Sequence, residues 1–177
     1  VLADHSGARR SPVLHFDPVM QRLWVFFSQS NYCKRSSSPP TWDPGGNVKT
    51  MFANVSQILT KPAAGTVKWS PPRTILPQST DGVPKVIASQ LVVLSSGDWV
   101  LPFWGEQPHF VKHSPRSDCD PANPDNEVPG RNFTDRSAAG VLISVNQGRT
   151  WAAHGRMSSP HTQLLEGVVV ELPPKLV

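Results

Sequence analysis

The residue types that most often act in catalysis or metal binding occur in this 177-residue sequence, but their spacing predicts no common kind of site. The histidines show no metal-ligand spacing and no attendant carboxylate, so no metal site is expected. Gly-x-Ser-x-Gly, P-loop and dinucleotide motifs do not occur either, and no cofactor is expected. The six histidines are His5, His15, His109, His113, His154 and His161.

Two cysteines and two glycosylation sequons are the positions open to covalent modification. Cys33 and Cys119 each lie in a loop rich in Pro, Ser or Asp. Two cysteines make neither a disulfide framework nor a zinc site, and a single bridge and two free thiols both stay open. The sequons at Asn54 and Asn132 count only in a secreted protein. No signal-peptide layout is found in the sequence, and the localisation is left open.

The most informative stretch is a tight corner at residues 144–151, which follows the apolar run 140–143. The side-chain oxygen of Asn146 can accept from backbone N–H groups two residues further on, and Gly148 can adopt a positive φ without steric conflict. Trp151 opens the next strand and has enough apolar area to anchor it. This stretch therefore predicts a β-hairpin with a buried indole.

The composition indicates an all-β protein. Nineteen prolines and twelve glycines leave little room for long helices, and no window of a dozen residues shows a 3.6-residue apolar period. Hydrophobic content is 38% and the mean hydropathy is −0.29. The longest apolar runs are far shorter than a membrane-spanning helix, so no membrane segment is predicted.

The positive net charge does not indicate nucleic-acid binding. The net charge is +4 and the isoelectric point is near 9.4, but the basic residues are scattered. Only Arg9-Arg10 and Lys34-Arg35 are adjacent pairs, whereas nucleic-acid binders concentrate such charge on one face. A mildly basic surface would suit an acidic glycan.

Apolar runs and turn residues predict a unit of four strands that occurs twice. The second strand of each unit is apolar at consecutive positions, which indicates burial on both faces. Prolines make the last strand of the first unit an edge strand. The first unit has strands at 13–16, 23–27, 48–54 and 69–76, and the second at 91–94, 98–104, 140–144 and 151–157.

Tryptophans occupy corresponding places in the two units. Trp24 and Trp99 lie in the second strands, and Trp69 and Trp151 open the last strands. Four antiparallel strands per unit is the layout of a propeller blade, with a β-sandwich as the alternative. In the first unit the corner is longer, and the stretch 57–68 is either an insertion or a corner that has lengthened.

Taken in order, these segments resemble the sialidase (BNR, Asp-box) superfamily, with Asn146 where that family usually has Asp. The resemblance implies an all-β, six-bladed sialidase-type propeller of which this chain holds an incomplete set of blades. Segments that carry it include 11–14, 23–27, 69–72, 93–102, 144–151 and 166–172. Residues 1–177 then form one partial domain with a blade at 11–76, a blade at 86–157 containing a long loop at 105–136, and the start of a third blade at 164–177.

The resemblance also implies a site on the propeller face opposite the Asp boxes. In the family, three arginines grip the sugar carboxylate, an Asp is the acid/base, and a Tyr nucleophile is assisted by a Glu. Glu166 matches that Glu. The alternative is that Glu166 is simply a polar residue that faces solvent at the start of a strand. Tyr32, the only tyrosine, does not match the nucleophile motif. The chain therefore lacks the full catalytic set.

Two further residues are weaker candidates for substrate binding. Lys85 enters the first strand of the second blade, where it would contact an anionic ligand or simply be solvated. Trp104 ends the next strand, where the family has aromatic pocket residues. Its indole would stack on a sugar ring or pack between blades.

The resemblance implies a parent activity of exo-hydrolysis of terminal sialic or related acidic sugars. We expect this chain alone to be inactive, with a sialylated or other acidic glycan as substrate or ligand. The alternatives are a non-catalytic propeller that binds glycans or protein partners and a truncated product without activity. Open blades would also expose strand edges, through which the chain would self-associate.

Overall fold

A computed structural model of the chain describes residues 9–29, 45–60, 67–81, 83–105, 138–158 and 164–172. These residues form two antiparallel β-sheets with very little helix. The prediction of an all-β protein is confirmed.

The first sheet is a four-stranded meander in the order β1-β2-β3-β4. In β1, Val13, His15 and Asp17 turn inward, whereas Leu14 and Phe16 are 63% and 47% exposed, as expected for the two-residue period of a strand. Its strands are β1 (Arg9–Asp17), β2 (Arg22–Gln29), β3 (Asn47–Asn54) and β4 (Arg73–Leu76).

The second sheet is also a meander, but its first strand is divided. Two short strands, β5 (Lys85–Val86) and β6 (Val92–Val93), pair with opposite ends of β7 (Trp99–Gly105). The sheet then continues through β8 (Ala138–Ser144) to β9 (Ala152–Ser158).

The two sheets pack face to face around an aromatic core. Trp24 of the first sheet meets Trp99 of the second edge to face, with ring centroids 5.6 Å apart. Phe26 meets Trp151 in the same manner, also at 5.6 Å. Such edge-to-face pairs stabilise packing beyond the area that they bury. Of the tryptophans predicted at corresponding places, Trp24 and Trp99 therefore contact each other across the joint, whereas Trp69 is 36% exposed.

The faces turned away from this joint are also apolar. On the first sheet, Phe27, Met51 and Ala53 are no more than 3% exposed, although strand alternation turns them away from Trp99. On the second sheet, Val86, Trp104 and Ala139 form a separate buried cluster. The prediction of strands buried on both faces holds for these positions.

The segment 164–172 crosses this outer cluster without forming a strand ladder. Leu164 packs on the Val86, Trp104 and Ala139 cluster at one end of the sheet. Glu171 accepts hydrogen bonds from the backbone N–H and the hydroxyl of Ser95 at the other end. The predicted third unit is thus an extended segment within the described residues, and it lies against the second sheet.

The last strand of the first sheet and the stretch after its third strand differ from the sequence prediction. The last strand of the first sheet begins at Arg73, because the prolines that follow Trp69 and Ser70 lack the N–H that a ladder requires. Ser70 instead binds strand β3, where its hydroxyl accepts from the Phe52 N–H at 3.0 Å. Part of the uncertain stretch 57–68 forms the end of helix α1 (Val55–Leu59).

Helical structure is confined to two short elements in the described part of the chain, α1 and a 3-10 turn (Gln78–Thr80). No described helix has the length and hydropathy that crossing a bilayer requires.

Candidate functional site

The corner at residues 144–151 is closed by side-chain hydrogen bonds. The Gly148 N–H donates to Ser144 Oγ at 2.8 Å. The Thr150 N–H donates to Asn146 Oδ1 at 2.8 Å, and the Ser144 hydroxyl donates to the same oxygen at 3.1 Å. Asn146 thus supplies an uncharged acceptor oxygen to this corner. Its amide nitrogen also donates to Thr150 Oγ1 at 2.7 Å.

Gly148 joins this corner to the aromatic core. Its φ is +80°, a left-handed value that favours glycine, and a Cβ there would lie 2.9 Å from Trp99 Cζ3. The Trp151 indole N–H donates to the Gly148 carbonyl oxygen at 3.1 Å. These contacts give the corner a structural role, because its polar groups bind one another.

Arg73 ties the first sheet to this corner and was not singled out by the sequence. Its guanidinium donates to the carbonyl oxygen of Arg149 at 2.6 Å and also to that of Gly148. The planar fork of an arginine suits two neighbouring acceptors. No local signal could have predicted a bond that joins residues 75 positions apart.

Lys85 is buried and paired. Its side chain is 3% exposed and forms a salt bridge with Asp81, which is 43% exposed. Burial lowers the pKa of the Lys85 ammonium, the hydrogen bond and charge of Asp81 oppose this, and the positive charge of Arg156 adds to the lowering. Its carboxylate partner is therefore Asp81, which the sequence did not indicate.

Trp104 is 5% exposed and lies against Val86, Ala139 and Leu164. An indole buried to this degree cannot offer its face to a sugar ring. The sequence left two alternatives for Trp104, stacking on a sugar ring or packing between blades. The observed indole packs inside the protein.

Glu166 is exposed and lies two residues beyond Leu164, which packs at the Trp104 end of the second sheet. Its φ is +53°, an uncommon value for a residue other than glycine, and such values accumulate at functional sites. Glu166 is in a bend and not at the start of a strand.

The three sequence candidates lie at one end of the second sheet, opposite the corner. Lys85 pairs with Gly105. Trp104 pairs with Ala139, whereas Trp99 pairs with Ser144 of the corner. Five residues of β7 separate the two ends, roughly 17 Å of extended strand. We name these the Lys85 end and the corner end.

Both long connections of the chain start and finish at the Lys85 end. The chain leaves β2 at Gln29 and enters β3 at Asn47, and these two residues pair with each other. Gly105 and Ala138, which bound the other connection, end their strands beside Trp104 and Ala139. Loops at one end of a rigid scaffold are frequent carriers of binding residues.

Several candidates lie outside the described residues, namely Tyr32, Cys33, Cys119, Asn132 and four of the six histidines. Asn54 is exposed where β3 meets α1. His15 packs against Trp99 at a centroid distance of 4.6 Å, and His154 is exposed on β9. In the described part of the chain, no group of three His, Cys, Asp or Glu residues is placed to hold a metal ion.

No protein-family model matches this chain, and no curated protein matches it.

Proposed function

We propose that the two sheets are neighbouring blades of a sialidase-type six-bladed propeller, and that the Lys85 end belongs to the face that binds a terminal acidic sugar. The parent activity would be exo-hydrolysis of that sugar. The observation that carries this proposal is the gathering of Lys85, Trp104 and Glu166 at one end, opposite the corner.

Strand order supports the fold proposal. Both sheets are antiparallel meanders, and the corner joins the third and fourth strands of the second one, β8 and β9. The segment 164–172 lies across the outer face of that sheet, as a third layer would.

The apolar outer faces favour a propeller over a two-layer sandwich. A sandwich buries the inner face of each sheet and alternates it with polar residues outside. Here the outward residues of β2 and β3 include Phe27 and Met51, and β1 exposes Leu14 and Phe16. Phe27 and Met51 are already buried, and a stack of more than two layers would also cover Leu14 and Phe16.

In the proposed site, Glu166 is the residue that meets the sugar or assists a tyrosine nucleophile. Glu166 is exposed at the Lys85 end, and it lies in a bend with a left-handed backbone conformation. Lys85 contributes indirectly, since its ammonium binds Asp81. Trp104 supports the segment that carries Glu166 by packing on Leu164.

A non-catalytic propeller that binds acidic glycans is the second candidate function. The single tyrosine of the chain, Tyr32, does not match the nucleophile motif, which favours binding without turnover. Either function requires the same face to recognise an acidic sugar.

The test is a titration of the isotope-labelled chain with N-acetylneuraminic acid, followed by amide chemical shifts. We expect shifts at residues 83–86, 104–105 and 164–167, and weaker binding by Glu166→Gln because a carboxylate that contacts the sugar is lost. Asp98→Asn, which neutralises a carboxylate in an exposed turn at the corner end, is the matched control and should bind normally.

A neutral hexose serves as the specificity control and should leave these shifts unchanged. Shifts confined to the corner end, or equal responses to both sugars, would contradict the proposal. Release of a fluorophore from a sialoside separates the two functions: we predict no turnover by this chain, and turnover lost in Glu166→Gln would exclude the non-catalytic candidate.

A further inference from the structure

Four polar side-chain atoms are buried together near the corner end without a hydrogen-bond partner among the residues that the structure describes. They belong to the β1-β2 hairpin and are His15 Nε2, Asp17 Oδ2, Arg22 Nε and Trp24 Nε1. Asp17 is 2% exposed and Trp24 is 4% exposed. Neither the proposed sugar site nor the corner uses these atoms.

The strand register puts the four residues on one face of the hairpin. His15 is directly opposite Trp24, and Asp17 is directly opposite Arg22. Alternation turns all four toward the second sheet, because both His15 and Trp24 meet the Trp99 ring. They therefore form a two-by-two patch at the joint between the sheets.

The other contacts of Asp17 and Arg22 fix where these side chains lie. Asp17 Oδ1 accepts from the N–H groups of Val19 and Met20 at 2.9 and 3.1 Å, which closes the hairpin turn. The Arg22 guanidinium lies 4.2 Å from the centre of the Phe52 ring. The buried atoms Asp17 Oδ2 and Arg22 Nε have no such partner in the described part of the chain.

The chemistry of the four atoms matches water. Arg22 Nε–H and Trp24 Nε1–H can only donate, Asp17 Oδ2 accepts when it is ionised, and His15 Nε2 accepts in one tautomer. A buried polar atom without a partner is destabilising, whereas an internal water with two to four partners removes that penalty. A metal ion would be repelled by the two N–H donors, and an anion by the Asp17 carboxylate.

We propose that this patch is an internal hydration site, in which ordered water bridges the Asp17 carboxylate and His15 to the N–H groups of Arg22 and Trp24. The site lies in the joint between the two sheets and is independent of the proposed function. Water there completes the cross-strand pairing of two charged residues that do not contact each other directly.

The test is a water-to-protein nuclear Overhauser experiment on the full isotope-labelled chain. The Trp24 indole proton should show a cross-peak of the sign given by long-lived water. The Trp151 indole is a matched control in the same aromatic cluster, because it already donates to the Gly148 oxygen. We expect no such cross-peak from Trp151. In Asp17→Asn, we expect the Trp24 cross-peak to weaken, because the bridge loses its charged acceptor.

A crystal structure at a resolution that shows ordered water is the second measurement and does not depend on any variant. Density for a water within hydrogen-bond distance of at least two of the four atoms supports the site. Direct bonds from these atoms to other parts of the protein, or a Trp24 indole without a water cross-peak, overturn it.

Discussion

The two ends of the second sheet are stabilised in different ways. At the corner end, the charged side chains of Arg73 and Glu171 bind neutral groups, the corner is closed by its own hydrogen bonds, and aromatic rings from both sheets pack beside it. At the Lys85 end, two opposite charges pair, since Asp81 binds the buried Lys85 ammonium, and Glu166 carries an exposed carboxylate. A corner of this kind stabilises the fold, whereas charged groups beside two long connections are suited to binding.

The largest effect is expected from a methyl group at the corner. Gly148→Ala should lower the free energy of unfolding by about 3 kcal/mol, since it combines a left-handed φ with overpacking against Trp99. Gly97→Ala is the control, because Gly97 also has a positive φ but no neighbour within 4 Å of its Cβ position. Gly97→Ala should cost about 1 kcal/mol. If the two variants lost the same free energy of unfolding in urea, overpacking against Trp99 would be excluded as a cause.

The Lys85 end is tested by neutralising Asp81. Asp81→Asn keeps the acceptor for the Val83 N–H but leaves the buried ammonium without a counter-charge. Because Asp81 is partly exposed, we expect a loss of only about 1–2 kcal/mol. The pKa of Lys85 should fall further, since the two contributions that raise it are reduced.

Asp98→Asn is the matched control for that prediction, because Asp98 accepts from the Ser96 hydroxyl in an exposed turn. It should be close to neutral. Adding Lys85→Met to Asp81→Asn should restore stability, since a buried ion pair can be replaced by apolar groups. A double variant no more stable than Asp81→Asn would mean that packing, and not charge, explains the loss.

The pH dependence of stability tests the corner end, because His15 packs against Trp99 there, and it requires no substitution of Lys85 or Asp81. Burial lowers the pKa of His15 from 6.5, and Asp17 opposes this only in part. The folded state therefore binds fewer protons than the unfolded state between the lowered pKa and 6.5, so stability falls as the pH drops through this window. His15→Gln should flatten the dependence measured by urea unfolding between pH 5 and 7.5. An unchanged slope would exclude His15 as its source.

The smallest effect is expected from Glu171, whose carboxylate binds Ser95 at the corner end. These hydrogen bonds lower the pKa of Glu171. Glu171→Gln should increase the backbone mobility of residues 164–172, measured by NMR relaxation, and leave global unfolding unchanged, because the contact is exposed. Unchanged mobility across this segment would show that Leu164 alone holds it.

Strand positions were largely readable from the sequence because they depend on local alternation. The prolines following Ser70 shortened the predicted last strand of the first sheet, and residues 91–94 paired only at Val92–Val93. The positive φ of Gly148 was also predictable from its own neighbours. The predicted acceptance by Asn146 from the N–H two residues further on was wrong, because the Gly148 N–H donates to Ser144 Oγ and Asn146 Oδ1 accepts from the Thr150 N–H instead. The propeller and its sugar site stay a prediction.

The sequence by itself determined the all-β class, the hairpins and the closed corner, because these depend on side-chain alternation, proline and the conformational freedom of glycine. Only the tertiary structure decided that Arg73 binds the corner, that Lys85 is buried with Asp81, and that Trp104 lies under Leu164. The physical reason is distance along the chain. Burial and charge pairing depend on which strands meet, and several of these contacts join residues that are far apart in sequence.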